Sequence, residues 1–259
     1  MVDLKERKYF YFTQNSLKTF TECPFKFKKR YIDSIKWEQG SASNPQISFG
    51  LDFHKIAERY FLGIPVFPES FKDNEMLYNA YNNLINRFQL RSDTKYLPEY
   101  TIRFMDGDVR LEANIDLLIV NPDNSIEIWD FKTNANLEKG KKYLASLQTK
   151  VYLYAVAKNV EKIFGFPLKC DKIKMVYYSP ETDTEIAVVN YDNEMYQENN
   201  KYINDLIAKI FSYDYSKFDK EAYIKSCKFC EFNLFCSSTP SVANEFSMDI
   251  DLKDIEEFM

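Results

Sequence analysis

The sequence lacks any apolar run long enough to span a membrane; Val151 to Ala157 has the length of a segment within a buried helix. Residues Met1-Val2-Asp3-Leu4-Lys5-Glu6-Arg7-Lys8 are charged and lack the apolar core of a signal peptide, so the cytoplasm is the expected compartment. No Walker-type phosphate loop occurs, so a helicase motor would have to be another chain. No internal repeat occurs either. Histidine is nearly absent, with a single copy at His54. What the chain does have is apolar and aromatic content, at 45% and 17% of 259 residues. That fills a sizeable core and excludes general disorder.

The formal charge of -5 is unevenly spread. Residues 237–259 hold six acids (Glu245, Asp249, Asp251, Asp254, Glu256, Glu257) against Lys253, which leaves the preceding body neutral at 33 acids and 33 bases. Within that body Lys26, Lys28, Lys29 and Arg30 cluster, as do Lys139, Lys141 and Lys142. A local basic groove on a neutral body suffices for a nucleic-acid partner, although each cluster alone reads first as a solvated helix face. The tail mixes its acids with Phe246, Ile250, Leu252 and Phe258. It reads as a solvating, flexible segment at 237–259, or more sharply as a docking peptide for a protein partner or a DNA mimic.

Periodicity predicts helices first: Thr13 to Ile32 with a break at Pro24, then Phe49 to Leu62 and Asn74 to Leu90, with a loop over Ser41 to Ser48. Strands follow at Glu99 to Met105, Val109 to Val120 and Ser125 to Lys132, the first two joined by the hairpin signal Asp106-Gly107. A long helix is expected from Leu137 to Val160, then strands Lys172 to Tyr178 and Glu185 to Val189, and a last helix Glu194 to Phe211. That order suits a mixed sheet covered by helices, an α/β fold in one domain over 1–236.

Asp130-Phe131-Lys132 ends the third strand. Residues two apart on a strand face the same side, so a carboxylate and an ammonium would meet at the sheet's rim. Asp116 lies fourteen residues earlier in the neighbouring strand. Two acids and a lysine so placed suggest metal-assisted phosphodiester hydrolysis. His54, four residues after Gly50, can bind a divalent ion alongside two carboxylates, with Glu58 one turn on as a candidate to orient it. Gln148 and Tyr152 share one helix face at i and i+4. Cys227, Cys230 and Cys236 stand in a C-X2-C-X5-C pattern, with Cys23 far upstream and Cys170 left over. In a cytosolic protein that spacing points to metal, either structural zinc or an iron–sulfur cluster, and the three clustered thiols by themselves favour zinc.

Taken together these residues resemble the PD-(D/E)XK nuclease superfamily, in particular its RecB-like branch with an iron–sulfur cluster, and are also similar to CRISPR-associated adaptation nucleases. The resemblance runs from Ser16 to Cys236 in family order: a helix ending Cys23-Pro24, Gly50-X3-His54, a glutamate opening a strand (Glu99, with Glu112 the competing choice), Asp116, Asp130-Phe131-Lys132, Gln148-X3-Tyr152 and the three cysteines. One departure is Ala113, where a glycine usually precedes the strand aspartate. The resemblance implies a restriction-endonuclease-like mixed sheet flanked by helices, with a 4Fe–4S cluster on Cys23, Cys227, Cys230 and Cys236 joining the two ends of the domain. It implies Mg²⁺ or Mn²⁺ held by His54, Asp116, Asp130 and the Phe131 carbonyl, with Glu99 as an accessory. Lys132 would serve catalysis with Asp116 and Asp130, while Gln148 and Tyr152 bind substrate or brace the site. The implied activity is a metal-dependent deoxyribonuclease, an exonuclease preferring single strands, in DNA repair or processing. Two alternatives stand beside it: a nuclease trimming CRISPR spacer precursors, and a non-catalytic DNA-binding module that keeps the cluster.

Overall fold

A computed structural model describes residues 10–35, 45–133, 140–217, 221–223, 227 and 230–236. The acidic tail, Lys139 and the charged first eight residues lie outside them. The chain opens with helix α1 (Gln14–Glu22), begun by a reciprocal cap in which Ser16 N–H donates to Thr13 Oγ1 and Thr13 N–H to Ser16 Oγ. The break expected at Pro24 is real. Cys23 is extended, and Pro24 starts the short helix α2 (Pro24–Phe27), which widens into a π-helical turn over Lys28–Ile32.

Helix α3 (Pro45–Phe61) begins four residues before the expected start, with Pro45 at its first position, so the second half of the expected loop is helical. Helix α4 (Glu75–Arg87) is capped by Asn74. Strands β1 (Lys95–Asp106), β2 (Val109–Val120) and β3 (Ile126–Phe131) form an antiparallel meander. The long helix expected next is two helices. Helix α5 (Gly140–Leu144) stops short of Ser146, which caps helix α6 (Leu147–Phe164) through the Thr149 N–H. Strands β4 (Ile173–Ser179) and β5 (Thr184–Asn190) and helix α7 (Asn193–Ser212) complete the order.

The five strands lie in sequence order, antiparallel except for the parallel β3–β4 pair that α5 and α6 connect. One sheet face, carrying Leu118, Ile128, Met175 and Tyr177, packs under α1, α6 and α7. The other, carrying Leu117, Trp129, Phe131 and Tyr178, packs against α3 and α4. This is a mixed sheet between two helical layers, as the sequence predicted. Among the described residues no helix is long and apolar enough to cross a membrane.

The first basic cluster is interleaved with acids. Lys28 and Lys29 pair with Asp33, Lys26 lies 3.8 Å from Glu22 and 3.7 Å from Glu231, and Arg30 pairs with Glu231. Three acids thus stand among its four bases, and two of those bases tie the N-terminal helices to the C-terminal segment.

Candidate active site

The acidic end of the sheet is built by an interruption of strand alternation. In β2, Leu111, Ala113 and Ile115 face the α6 side, as do Leu118 and Val120, while Leu117 and Ile119 face the other. Parity therefore changes across Asp116. Register pairs Pro98 with Leu117 and Tyr100 with Ile115, which leaves Glu99 opposite Asp116. Glu99 has a φ of 45°, the left-handed region that side-chain-bearing residues rarely enter. The kink brings both carboxylates to one place.

His54 reaches the same place from α3. Its Nδ1 lies 3.2 Å from Glu99 Oε1 and 4.0 Å from Asp116 Oδ1, and one ligand atom from each of the three residues lies within 4.8 Å of the others. The partner facing Nδ1 is thus Glu99 rather than Glu58. Ligands about 2.1 Å from an octahedral ion stand about 3.0 Å apart when adjacent and about 4.2 Å when opposite. The two distances from Nδ1 fall in that span, and one imidazole with two carboxylates is a donor set for Mn²⁺ or Mg²⁺.

Across from this group, β3 leaves β2. Their ladder is last paired at Leu117 and Trp129, and the Phe131 N–H donates instead to Asp116 Oδ2 at 2.7 Å. Phe131 thus anchors Asp116 through its N–H, a contact separate from the carbonyl expected to serve as a ligand. Its ring lies in the core of the α3–α4 face. The Lys132 N–H donates to the Tyr178 carbonyl, holding the end of β3 to β4.

Asp130 and Lys132 do share one side. Lys132 Nζ is 2.8 Å from Asp130 Oδ2 and donates to Gln148 Oε1 at 3.1 Å. Gln148 Nε2 donates to Asp130 Oδ1 at 2.6 Å and lies 3.4 Å from the Tyr152 hydroxyl. Gln148 therefore bridges the acid and the base, and Tyr152 stands behind it, both near the buried start of α6. The predicted site residues fall into two linked groups: His54, Glu99 and Asp116 on one hand, and Asp130, Lys132, Gln148 and Tyr152 on the other. Glu112, the competitor to Glu99, instead pairs with Arg103. Ala113 is buried in the core on the α6 side, so its methyl group occupies packing space there.

Two tyrosines beside Lys132 escaped the sequence reading. Its ammonium is 5.9 Å from the Tyr143 ring centroid and 5.7 Å from that of Tyr177. Merging α5 into one long helix hid Tyr143. The Ser-X-X-Thr cap at Ser146 was the signal that a new helix starts there.

The cysteines gather elsewhere. Cys23 is buried, and its thiol is pushed up by that burial and further by Cys227 nearby. Burial pushes the Cys230 thiol up to about 11, with Glu231 and Cys23 adding to the effect. Cys23, Cys227 and Cys230 thus lie within electrostatic reach of one another, and Cys236 ends a helical turn just beyond (Asn233–Cys236). Cys170 is separate, beside Asp171 and Asp192.

A family model described as the PD-(D/E)XK nuclease superfamily matches residues 11–237. Among solved structures, a candidate exonuclease from Eubacterium rectale shares the fold at a TM-score of 0.52 and 12% identity, over 97% of this chain and 94% of that one. A second, SSO0001, aligns at a TM-score of 0.39 and 13% identity, over 93% and 94%. No curated protein matches this chain in sequence.

Proposed function

Because the chain belongs to the PD-(D/E)XK nuclease superfamily, we propose that it is a metal-dependent deoxyribonuclease that hydrolyses phosphodiester bonds in single-stranded DNA from an end. One observation carries the catalytic reading: a His54–Glu99–Asp116 donor group is joined, through the Asp116–Phe131 hydrogen bond, to the Asp130–Lys132–Gln148 network. The preference for ends and single strands rests on the family resemblance.

His54, Glu99 and Asp116 would hold Mg²⁺ or Mn²⁺, with Asp130 and the Phe131 carbonyl completing the set that the resemblance implies. When bound, the ion polarises a phosphate oxygen and acidifies a water. The remaining work falls to the chain. Lys132 presents a fixed positive charge at the point where a phosphate gains negative charge during attack. Gln148 holds that ammonium and the Asp130 carboxylate at a set spacing, so neither must reorganise as the reaction proceeds. Tyr152 limits the rotation of Gln148.

End-labelled single- and double-stranded DNA with Mg²⁺ or Mn²⁺ tests this reading. Progressive release of label from single strands is expected. DNA binding without cleavage under either ion would instead leave a non-catalytic binding module.

Cys23, Cys227, Cys230 and Cys236 are assigned to a 4Fe–4S cluster of structural role. The electrostatic coupling of three of these thiols supports this, as does the clamp of Lys26 and Arg30 on Glu231, which brings the two chain segments together. A cluster there closes a very long loop and adds to folding stability. Anaerobically purified protein should be brown and contain iron and sulfide; a colourless protein with stoichiometric zinc would refute the assignment.

A further inference from the structure

We propose that Tyr143, stacked on Tyr177, is a positioning residue for Lys132, and that Gly140 seats the helix that carries it. The inference rests on the nuclease reading and adds a part that the motif residues do not include.

The two rings stack at a centroid distance of 4.6 Å with 25° between their planes, and Lys132 lies beside both. Tyr177 is fully buried in β4, and its hydroxyl is hydrogen-bonded to Thr149 Oγ1 at 2.8 Å and Ser146 Oγ at 3.2 Å. Thr149 Oγ1 in turn donates to the Tyr143 carbonyl at 2.6 Å, and the Ser146 N–H donates to the same oxygen at 3.0 Å. The backbone of Tyr143 is therefore tied to the start of α6, the same turn that presents Gln148. Its ring is stacked on a strand residue whose register partner on β3 is Asp130.

Chemistry favours rings at this spot. Lys132 already has a carboxylate and an amide oxygen as partners. A further anion would draw the ammonium away from a substrate phosphate, and water would leave it free to swing. An aromatic wall confines the charge and excludes water, and it attracts the cation without taking up a hydrogen bond. Separations of 5.7 and 5.9 Å lie at the outer limit of such contacts, so the expected effect is modest.

Gly140 explains how the ring is delivered. A Cβ at this position would stand 2.7 Å from the Ile186 carbonyl oxygen of β5. That oxygen is backbone at the β4–β5 irregularity, where Ile186 falls between the paired Glu185 and Ala187, so it cannot swing aside as the end of a flexible side chain would. Only glycine lets α5 lie this close to the sheet, three residues before Tyr143.

Steady-state kinetics on single-stranded DNA, with melting temperatures measured in parallel, tests the proposal. Tyr143→Leu should lower kcat about fivefold at unchanged KM and nearly unchanged melting temperature. Tyr143→Phe, which keeps the ring, should restore the wild-type rate. Gly140→Ala should reproduce the kcat loss through displacement of α5. The proposal is overturned if Tyr143→Leu leaves kcat unchanged, if Tyr143→Phe is equally impaired, or if KM alone rises, as it would were the ring a stacking platform for a base. Wild-type protein inactive on DNA would bring down the nuclease reading itself. A neutral Tyr143→Leu in an active enzyme removes only this inference.

Discussion

Lys132→Ala should lower the rate of DNA cleavage by about a thousandfold while the protein stays folded and still binds single-stranded DNA. The magnitude follows from losing one preorganised donor at the point of developing charge, which costs about 10²–10³ in kcat in comparable sites. The lysine also has a structural role that must be separated from this one. Asp130 is 1% exposed and depends on Lys132 at 2.8 Å and on Gln148 at 2.6 Å for compensation. Truncating Lys132 removes one of those partners, so the melting temperature should also fall; Gln148 and a bound cation limit the loss. Lys132→Met offers a check, since it keeps the aliphatic stem against the two tyrosines and removes only the charge. If both variants cleave at the wild-type rate, the ammonium has no part in the chemistry and the proposed mechanism fails. Both variants lose the partner of Asp130 and should melt earlier than wild type; if both are inactive and Lys132→Ala melts earlier still, charge and packing have been separated.

That lysine was legible in the sequence because strand alternation is a strict rule, and two residues apart on β3 is enough to put Asp130 and Lys132 on one side. Gln148 and Tyr152 were legible for the same kind of reason, through the i, i+4 spacing of a helix that does exist. Glu99 was harder to place. Alternation along β1 and β2 gives no warning that both strands are interrupted at one register position, and a glutamate at a φ of 45° is not what local propensity favours. The interruption is set by what the two carboxylates face, His54 across the α3 side, and that contact spans 45 residues of sequence. Glu58 stood as a candidate to orient His54 because helical spacing is visible in the sequence and tertiary contact is not. The boundary between α5 and α6 was lost in a similar way, since apolar spacing continues across it and only the Ser146 cap marks the break. Local rules thus placed the half of the site carried on regular elements; for the other half they supplied the candidates His54, Asp116 and Glu99 but not the geometry, which is made where regularity stops.

The half whose geometry the sequence did not show yields the second large effect. Asp116→Asn should abolish both cleavage and the thermal response to metal. Wild-type protein at a Mn²⁺ or Mg²⁺ concentration about a hundred times its dissociation constant should gain about 2.7 kcal/mol from binding. In a chain of this size that raises the melting temperature by about 5–10 °C. The asparagine can still accept the Phe131 N–H through its amide oxygen, so the β2–β3 junction should survive. What it loses is one negative charge of a facing pair, because Asp116 is buried and the partly exposed Glu99 stands opposite it. Without metal those two carboxylates repel each other, so the metal-free variant should melt no lower than the metal-free wild type. Adding metal should then leave the variant's melting curve where it was while moving the wild type upward, so that the order of stability depends on the ion. Glu99→Gln and Asp130→Asn, measured in the same way, decide which acids hold the ion. The geometry groups Glu99 with His54 and Asp116, so Glu99→Gln should lose most of the thermal response. Asp130 is committed to Lys132 and Gln148, so Asp130→Asn should lose less of it and reduce cleavage nonetheless. A full response in Glu99→Gln with none in Asp130→Asn would reverse that order, and would make the kink at Glu99 a feature of the strand pair alone.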